Sequence, residues 1–248
     1  MVATIQLTAA SSDLKGYLNA WDAANPVVPY GTFNPGGDLY NQWVGGGATP
    51  STYGVILDGN FDGYASGNLT GVATGLTFGT GLAYDSGDDV YELANEQLSI
   101  DLNNANADPF DTFDYAVYGL INSDVSYLYT YFDTVGTEQI GTSGNNRLYS
   151  FAASDSLTGG NGNDTFVFAG NWGSDTVTDF GDTTGNKDVL DFTGVTGIVD
   201  VTDLVFSYSN WYDSSNVLTI SYGGNTLVVE GYVGSDILDF QANNQLLA

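Results

Sequence analysis

The sequence predicts two unlike halves: an α+β region over residues 1–138 and an all-β region of stacked coils over residues 139–248. Three observations carry this. Helical spacing of apolar residues lies almost entirely ahead of Gly136. A nine-residue period with a fixed rule at each position starts at Gly141. The chain is 42% hydrophobic with 17 Tyr, 13 Phe and 4 Trp, enough apolar mass for packed cores despite its acidity.

In the first half, Ser11-Ser12-Asp13 offers N-caps to a helix over Leu14 to Ala24, with Leu14, Leu18 and Trp21 on one apolar face. Pro26 and Pro29 stop it. Residues 31–52 are rich in Gly and Asn around Tyr40 and Trp43, which predicts a long ordered loop. Strands are expected at YGVILDG from Tyr53, NLTGVATGLTFG from Asn68 and QLSIDLNN from Gln97, where Val72, Leu76 and Phe78 alternate with small or polar neighbours. Helical spacing returns in PFDTFDYAVYGLI, with Phe113, Val117, Leu120 and Ile121 on one face. It recurs in SDVSYLYTYFDTVG, with Val125, Leu128 and Phe132 on one face and Gly136 closing the turn.

The second half reads in nines as GTSGNNRLY, SFAASDSLT, GGNGNDTFV. The fourth column holds Gly144, Ala153 and Gly162; the sixth Asn146, Asp155 and Asp164; the eighth Leu148, Leu157 and Phe166. Such a period is the mark of stacked β coils, with the eighth residue pointing into a core and the first six forming a turn that favours glycine. Carbonyls and carboxylates stacked at successive turns make an oxygen-rich environment suited to Ca²⁺. The candidate ligands are the carboxylates of Asp155 and Asp164 and the turn residues Gly159, Asn161 and Gly162.

GGNGNDTFV resembles the RTX calcium-binding nonapeptide repeat at each of its defined positions, and the two preceding nines are degenerate copies. The continuation GSDTVTDF and NKDVLDFTGV resembles the strands that follow the last repeat in such proteins. By that resemblance Asp175 and Asp179 are further candidate ligands, and the half is expected to be a parallel β-roll or β-sandwich. Strands are expected at VLTISYGG, NTLVVEGY and DILDFQ. The acidic tail ending in NQLLA resembles a type I secretion signal, which implies the type I secretion machinery as a partner and an extracellular or cell-surface location. In that setting low calcium inside the cell leaves the repeats unfolded and millimolar calcium outside folds them.

GYLNAW, GNLTGVATGLTFGTGL and VYGLINSDVSYL, in this order across residues 14–136, resemble HasA-type heme-acquisition proteins. The resemblance implies a curved antiparallel sheet with helices on one side. That family's heme ligands do not carry over. The chain has no His, and Asn68-Leu69-Thr70 is followed by Gly71 where the family has Tyr. Heme would have to be held by an unsupported phenolate from Tyr30, Tyr40, Tyr53 or Tyr64, with Tyr40 and Tyr64 the foremost pair, although a free phenol ionises only near pH 10.

Composition narrows the function further. Three Lys+Arg against 30 Asp+Glu, a net charge of −27, exclude phosphate-backbone binding and argue against anionic membranes. Only Glu92, Glu96, Glu138 and Glu230 are glutamates; the remaining acids are Asp, a frequent turn residue and hard-cation ligand. With neither Cys nor His there is no disulfide, no thiol or Ser-His nucleophile and no His-ligated zinc, so no enzyme is expected. The start of the chain lacks the basic and apolar regions of a secretory signal peptide, and no stretch is apolar enough to span a membrane. The expectation is an exported calcium-binding structural or adhesive protein that assembles into a homo-oligomer or polymer, a surface-layer, matrix or filament subunit. The alternative is a hemophore with an atypical Tyr-based site.

Overall fold

Long runs of alternating apolar and small residues dictate the first sheet. A computed structural model of the chain describes every residue except 1, 26–30, 35–39, 47–51, 66–67, 108–111, 184–185, 210–216, 233–245 and 248, with backbone alone at 40, 62–65, 68, 106–107, 182–183 and 209. The chain divides into two compact units: Met1–Ser11 with Lys15–Thr134, and Ser12–Leu14 with Val135–Ala248.

In the first unit, β1 (Ala3–Leu7), β2 (Thr32–Phe33), β3 (Tyr40–Gly46), β4 (Tyr53–Ala65), β5 (Asn68–Asp85) and β6 (Val90–Ala107) pair antiparallel in the order β1-β6-β5-β4-β3-β2. Val55, Leu57, Leu76, Phe78, Leu98 and Ile100 are buried and make one face apolar. Against it lies α1 (Leu14–Ala24), whose Trp21 ring stands edge-on to Phe78 at 5.4 Å. The expected pair of later helices is present as α2 (Thr112–Asn122) and α3 (Ser126–Val135), burying Phe113, Val117 and Leu120, and Leu128 and Phe132. This unit is thus α+β, a large sheet with few helices.

One expectation fails here. Residues 31–52 are not a loop throughout: they carry β2 and β3. Trp43 and Val44 are buried and pair with Leu57 and Ile56, so the ladder and two core side chains outweigh the local Gly and Asn content. Gly31, at φ +59, lets the backbone lie on the Trp43 ring, where an added Cβ would come within 2.3 Å.

In the second unit, successive strands alternate between two sheets. β7 (Thr137–Thr142), β9 (Ser156–Gly160), β11 (Ser174–Val177) and β17 (Asn225–Val229) lie parallel in one. β8 (Arg147–Tyr149), β10 (Thr165–Ala169), β14 (Val189–Gly194) and β18 (Leu246–Leu247) lie parallel in the other. β15 (Val205–Ser209) and β16 (Val217–Tyr222) extend the first sheet antiparallel, and β12 (Asp182–Thr183) and β13 (Asn186–Lys187) form a small hairpin. The eighth-column residues Leu148, Leu157 and Phe166 are fully buried; Leu148 and Leu190 flank Phe166 in register, and Leu157 pairs with Val177. Phe168 stacks on Phe192 at 4.8 Å, and Trp172 lies against both. At one end of the stack the core column holds Gln139, which is buried and bonds both backbone groups of Tyr149 through its amide. The strand expected at DILDFQ lies outside the described residues.

Candidate functional site

Parallel coils need turns at both edges, and each edge of the second unit is stitched by short acidic or amide side chains. Such groups accept the turn N–H donors that the strand ladders leave open. At the first edge, Thr142 N–H donates to Asn146 Oδ1 (2.7 Å), Asn146 N–H to Asp164 Oδ1 (2.7 Å) and Asp164 N–H to Asp188 Oδ1 (2.8 Å). Asp188 Oδ2 accepts from Gly181 N–H at 2.7 Å. Asp179 accepts from both Gly159 and Gly160 N–H, at 2.8 and 2.7 Å. An outer amide ladder runs beside it: Asn163 N–H to Asn145 Oδ1 (2.9 Å) and Lys187 N–H to Asn163 Oδ1 (2.8 Å).

The glycines of this edge are required by space. Gly160 sits at φ +92 with the position of a Cβ 2.1 Å from Thr142 O, and a Cβ on Gly159 would lie 2.3 Å from Asp164 Oδ2. Together with Asn146 Nδ2, that oxygen is an exception to the stitching of this edge. Asp164 is 1% exposed, yet its Oδ2 is buried without a hydrogen-bond partner among the described residues. Burial pushes the Asp164 carboxyl up to about 7, with the nearby Asp188 and Asp179 adding to it against the Asn146 N–H. Asp188 is likewise pushed up to about 6, by burial first and by Asp179.

The second edge is different. Asp155 Oδ1 accepts from Thr137 N–H (2.6 Å) and Oγ1 (2.7 Å), and Oδ2 from Phe151 N–H (2.6 Å). Asp175 Oδ1 accepts from Asp155 N–H (2.9 Å) and Oδ2 from the Ser150 hydroxyl (2.6 Å). Every carboxylate oxygen there has a donor from the chain. Burial pushes Asp175 up to about 8, with Asp155 contributing.

The residues singled out in the sequence therefore separate. Gly159, Asp164 and Asp179 come together at the first edge, where Gly162 turns at φ +122 and Asn161 is exposed. Asp155 and Asp175 lie at the second edge. Asp188 was missed: the step from Asn146 to Asp164 is 18 residues but that from Asp164 to Asp188 is 24, so it falls out of the count of nines. Its one sequence signal is that DVLDF repeats the acid-then-apolar pattern of DTFVF.

The donors at the first edge are oxygens only, which fits a hard cation and not a soft one. Among the described residues no three acidic side chains converge closely enough to cage an ion by themselves. Of the tyrosines considered for heme, Tyr30 lies outside the described residues, as do the side chains of Tyr40 and Tyr64. Tyr53 packs edge-on against Tyr17 at 5.7 Å.

No protein-family model and no curated protein matches the chain. Among solved structures it is similar to the apo hemophore HasA from Yersinia pestis, at 17% identity and TM-score 0.46, over 57% of this chain and 98% of that one. A HasA mutant monomer from Yersinia pseudotuberculosis (16% identity, TM-score 0.45) covers 56% of this chain and 99% of its own. Holo HasA from Yersinia pestis gives the same values. A likeness at this level carries no conclusion about ligand or activity. Among the described residues no helix is long and apolar enough to cross a membrane.

Proposed function

We propose that the protein is an exported calcium-binding structural component whose second unit takes up divalent cations along its first edge. The observation that carries this is Asp164 Oδ2: a buried carboxylate oxygen with no donor, whose charged neighbours are the carboxylates of Asp188 and Asp179. A buried carboxylate takes up a proton, as the raised pKa of Asp164 allows, unless it is paired or metal-bound. Calcium would supply the missing positive charge and crosslink adjacent coils. Asp164 would be the direct ligand, Asp179 and Asp188 would orient the Gly159–Gly160 and Gly181 turns around it, and the turn carbonyls would complete the shell. At a net charge of −27, copies of the chain repel one another, so assembly into a polymer would also depend on cations. Export by the type I route fits the same logic, since folding would await the calcium outside.

The test is thermal unfolding and isothermal titration with calcium after exhaustive chelation, followed by light scattering and electron microscopy. Calcium uptake with a higher Tm supports the reading, and larger particles in calcium support assembly. Equal melting in calcium and chelator overturns it. A stoichiometric Soret band on adding hemin would favour a hemophore instead.

A further inference from the structure

The first unit's sheet has a second face that neither packing nor the cation edge explains. On strands where Leu57, Leu76 and Ile100 point into the core, their neighbours Asp58, Thr77, Ser99 and Asp101 point the other way. A polar groove of about 490 Å³ runs there, lined by Asp58, Thr74, Thr77, Ser99, Asp101 and Asn103 among others. A second hollow of about 350 Å³ shares Asp58 and Thr77 with it and continues past Gln42 and Glu96 to Tyr91. The two hollows adjoin at Asp58 and Thr77 and follow one another along β5 and β6 as an open, shallow channel.

Its ends and middle are distinct. In the middle, Gln42 Nε2 donates to Asp58 Oδ1 at 3.0 Å while its Oε1 accepts from Tyr91 N–H at 2.6 Å, so Asp58 is held in place. At one end, Tyr91 pairs across the strands with Tyr84, ring centroids 5.2 Å apart, and Tyr84 is 39% exposed. The Tyr84 hydroxyl is anchored by Asp89. From Tyr84 to Thr74 the strand β5 advances ten residues, about 30 Å of extended chain.

We propose that this channel binds a linear, uncharged polysaccharide. Carboxylates, amides and hydroxyls in a row are the acceptors and donors that sugar hydroxyls pair with, and the apolar ring faces of a sugar stack on an exposed tyrosine. None of the residues lining either hollow is Lys or Arg, so nothing there favours an anionic glycan or a phosphate. An elongated channel suits a chain rather than a compact ligand. All the lining residues belong to the first unit, so this inference stands apart from the calcium reading.

The test is native affinity electrophoresis of the whole protein in calcium-containing gels carrying xyloglucan, galactomannan, dextran or arabinan, with alginate as the anionic control. Retardation by at least one neutral polymer and none by alginate is expected. Asp58→Asn and Tyr84→Ala should each weaken retention by about tenfold while their melting temperatures stay near that of the parent. Tyr115→Ala, on the exposed face of α2, should leave retention unchanged. Migration unaffected by every neutral polymer overturns the proposal. So does retention that survives both groove variants, or retention by alginate alone. A groove that instead binds polylysine, displaced by salt and indifferent to Tyr84→Ala, would be an acidic patch and would refute the glycan assignment.

Discussion

Replacing Asp164 by Asn reads the first edge with opposite signs in two conditions. The amide keeps the shape and retains an Oδ1 acceptor for the Asn146 N–H; Asn146 itself performs that task one coil earlier, toward Thr142. What disappears is the charge on a buried, donorless oxygen. A carboxyl that ionises near 7 rather than at 3.8 costs the fold about 4 kcal/mol when charged, at about 1.4 kcal/mol per pH unit. Local relaxation and water entry return part of this, so a gain of about 2 kcal/mol is expected in chelator near pH 8, or ~4–8 °C in Tm for a chain of this size. In millimolar calcium the same substitution removes a direct ligand, and the melting temperature should fall below that of the parent. The assay is calorimetric or near-ultraviolet dichroic melting of both proteins in chelator and in calcium. If Asp164→Asn destabilises equally in both, the side chain is a turn cap and the cation assignment fails.

Other perturbations separate the edges. In chelator, stability should fall as pH rises from about 4 to about 8. Asp164, Asp175 and Asp188 have folded pKa values above 3.8, so their protonated forms favour the fold and that benefit is lost as each ionises, near 7, 8 and 6. Melting curves across that range check the sign, and calcium should flatten the part due to Asp164 and Asp188. Asp155→Ala should cost about 2–4 kcal/mol in calcium and in chelator alike, because it strands the Thr137 and Phe151 N–H donors rather than a cation; parallel melts measure this. Gly160→Ala should destabilise by about 2 kcal/mol or more in either condition, since the new methyl would meet Thr142 O at φ +92. Arg147→Met should cost about 1–3 kcal/mol in a denaturant titration, because it leaves the buried Asp191 carboxylate, paired with Arg147 at 2.9 Å, with only its Thr193 donors.

Several features were legible because they are local. Apolar spacing gave α1, α2 and α3, and the eighth column gave Leu148, Leu157 and Phe166, since inward side chains in repeated coils must all be apolar. The period also marked Asp155 and Asp164 as a set, but periodicity says nothing of which edge a residue occupies. Two consecutive nines complete one coil, so Asp155 and Asp164 alternate between opposite edges and meet different donors. Residues 31–52 misled because strand pairing is non-local: nothing near Trp43 announces that Leu57 lies opposite. The strand segments past Gly79 and before Gln97 were hidden in the same way, and with them the Tyr84–Tyr91 pair.

The amino-acid order by itself determined the acidity, the absence of Cys and His, the helices and the nine-residue rhythm, since each depends on composition or on neighbours a few residues apart. Only the tertiary structure decided which carboxylates are satisfied. Whether an oxygen finds a donor depends on the coil stacked above it, 18 or 24 residues away, and on the loop length that sets that distance. Asp155 meets Thr137 across its stack and Phe151 within its own turn, while the second oxygen of Asp164 meets no donor among the described residues.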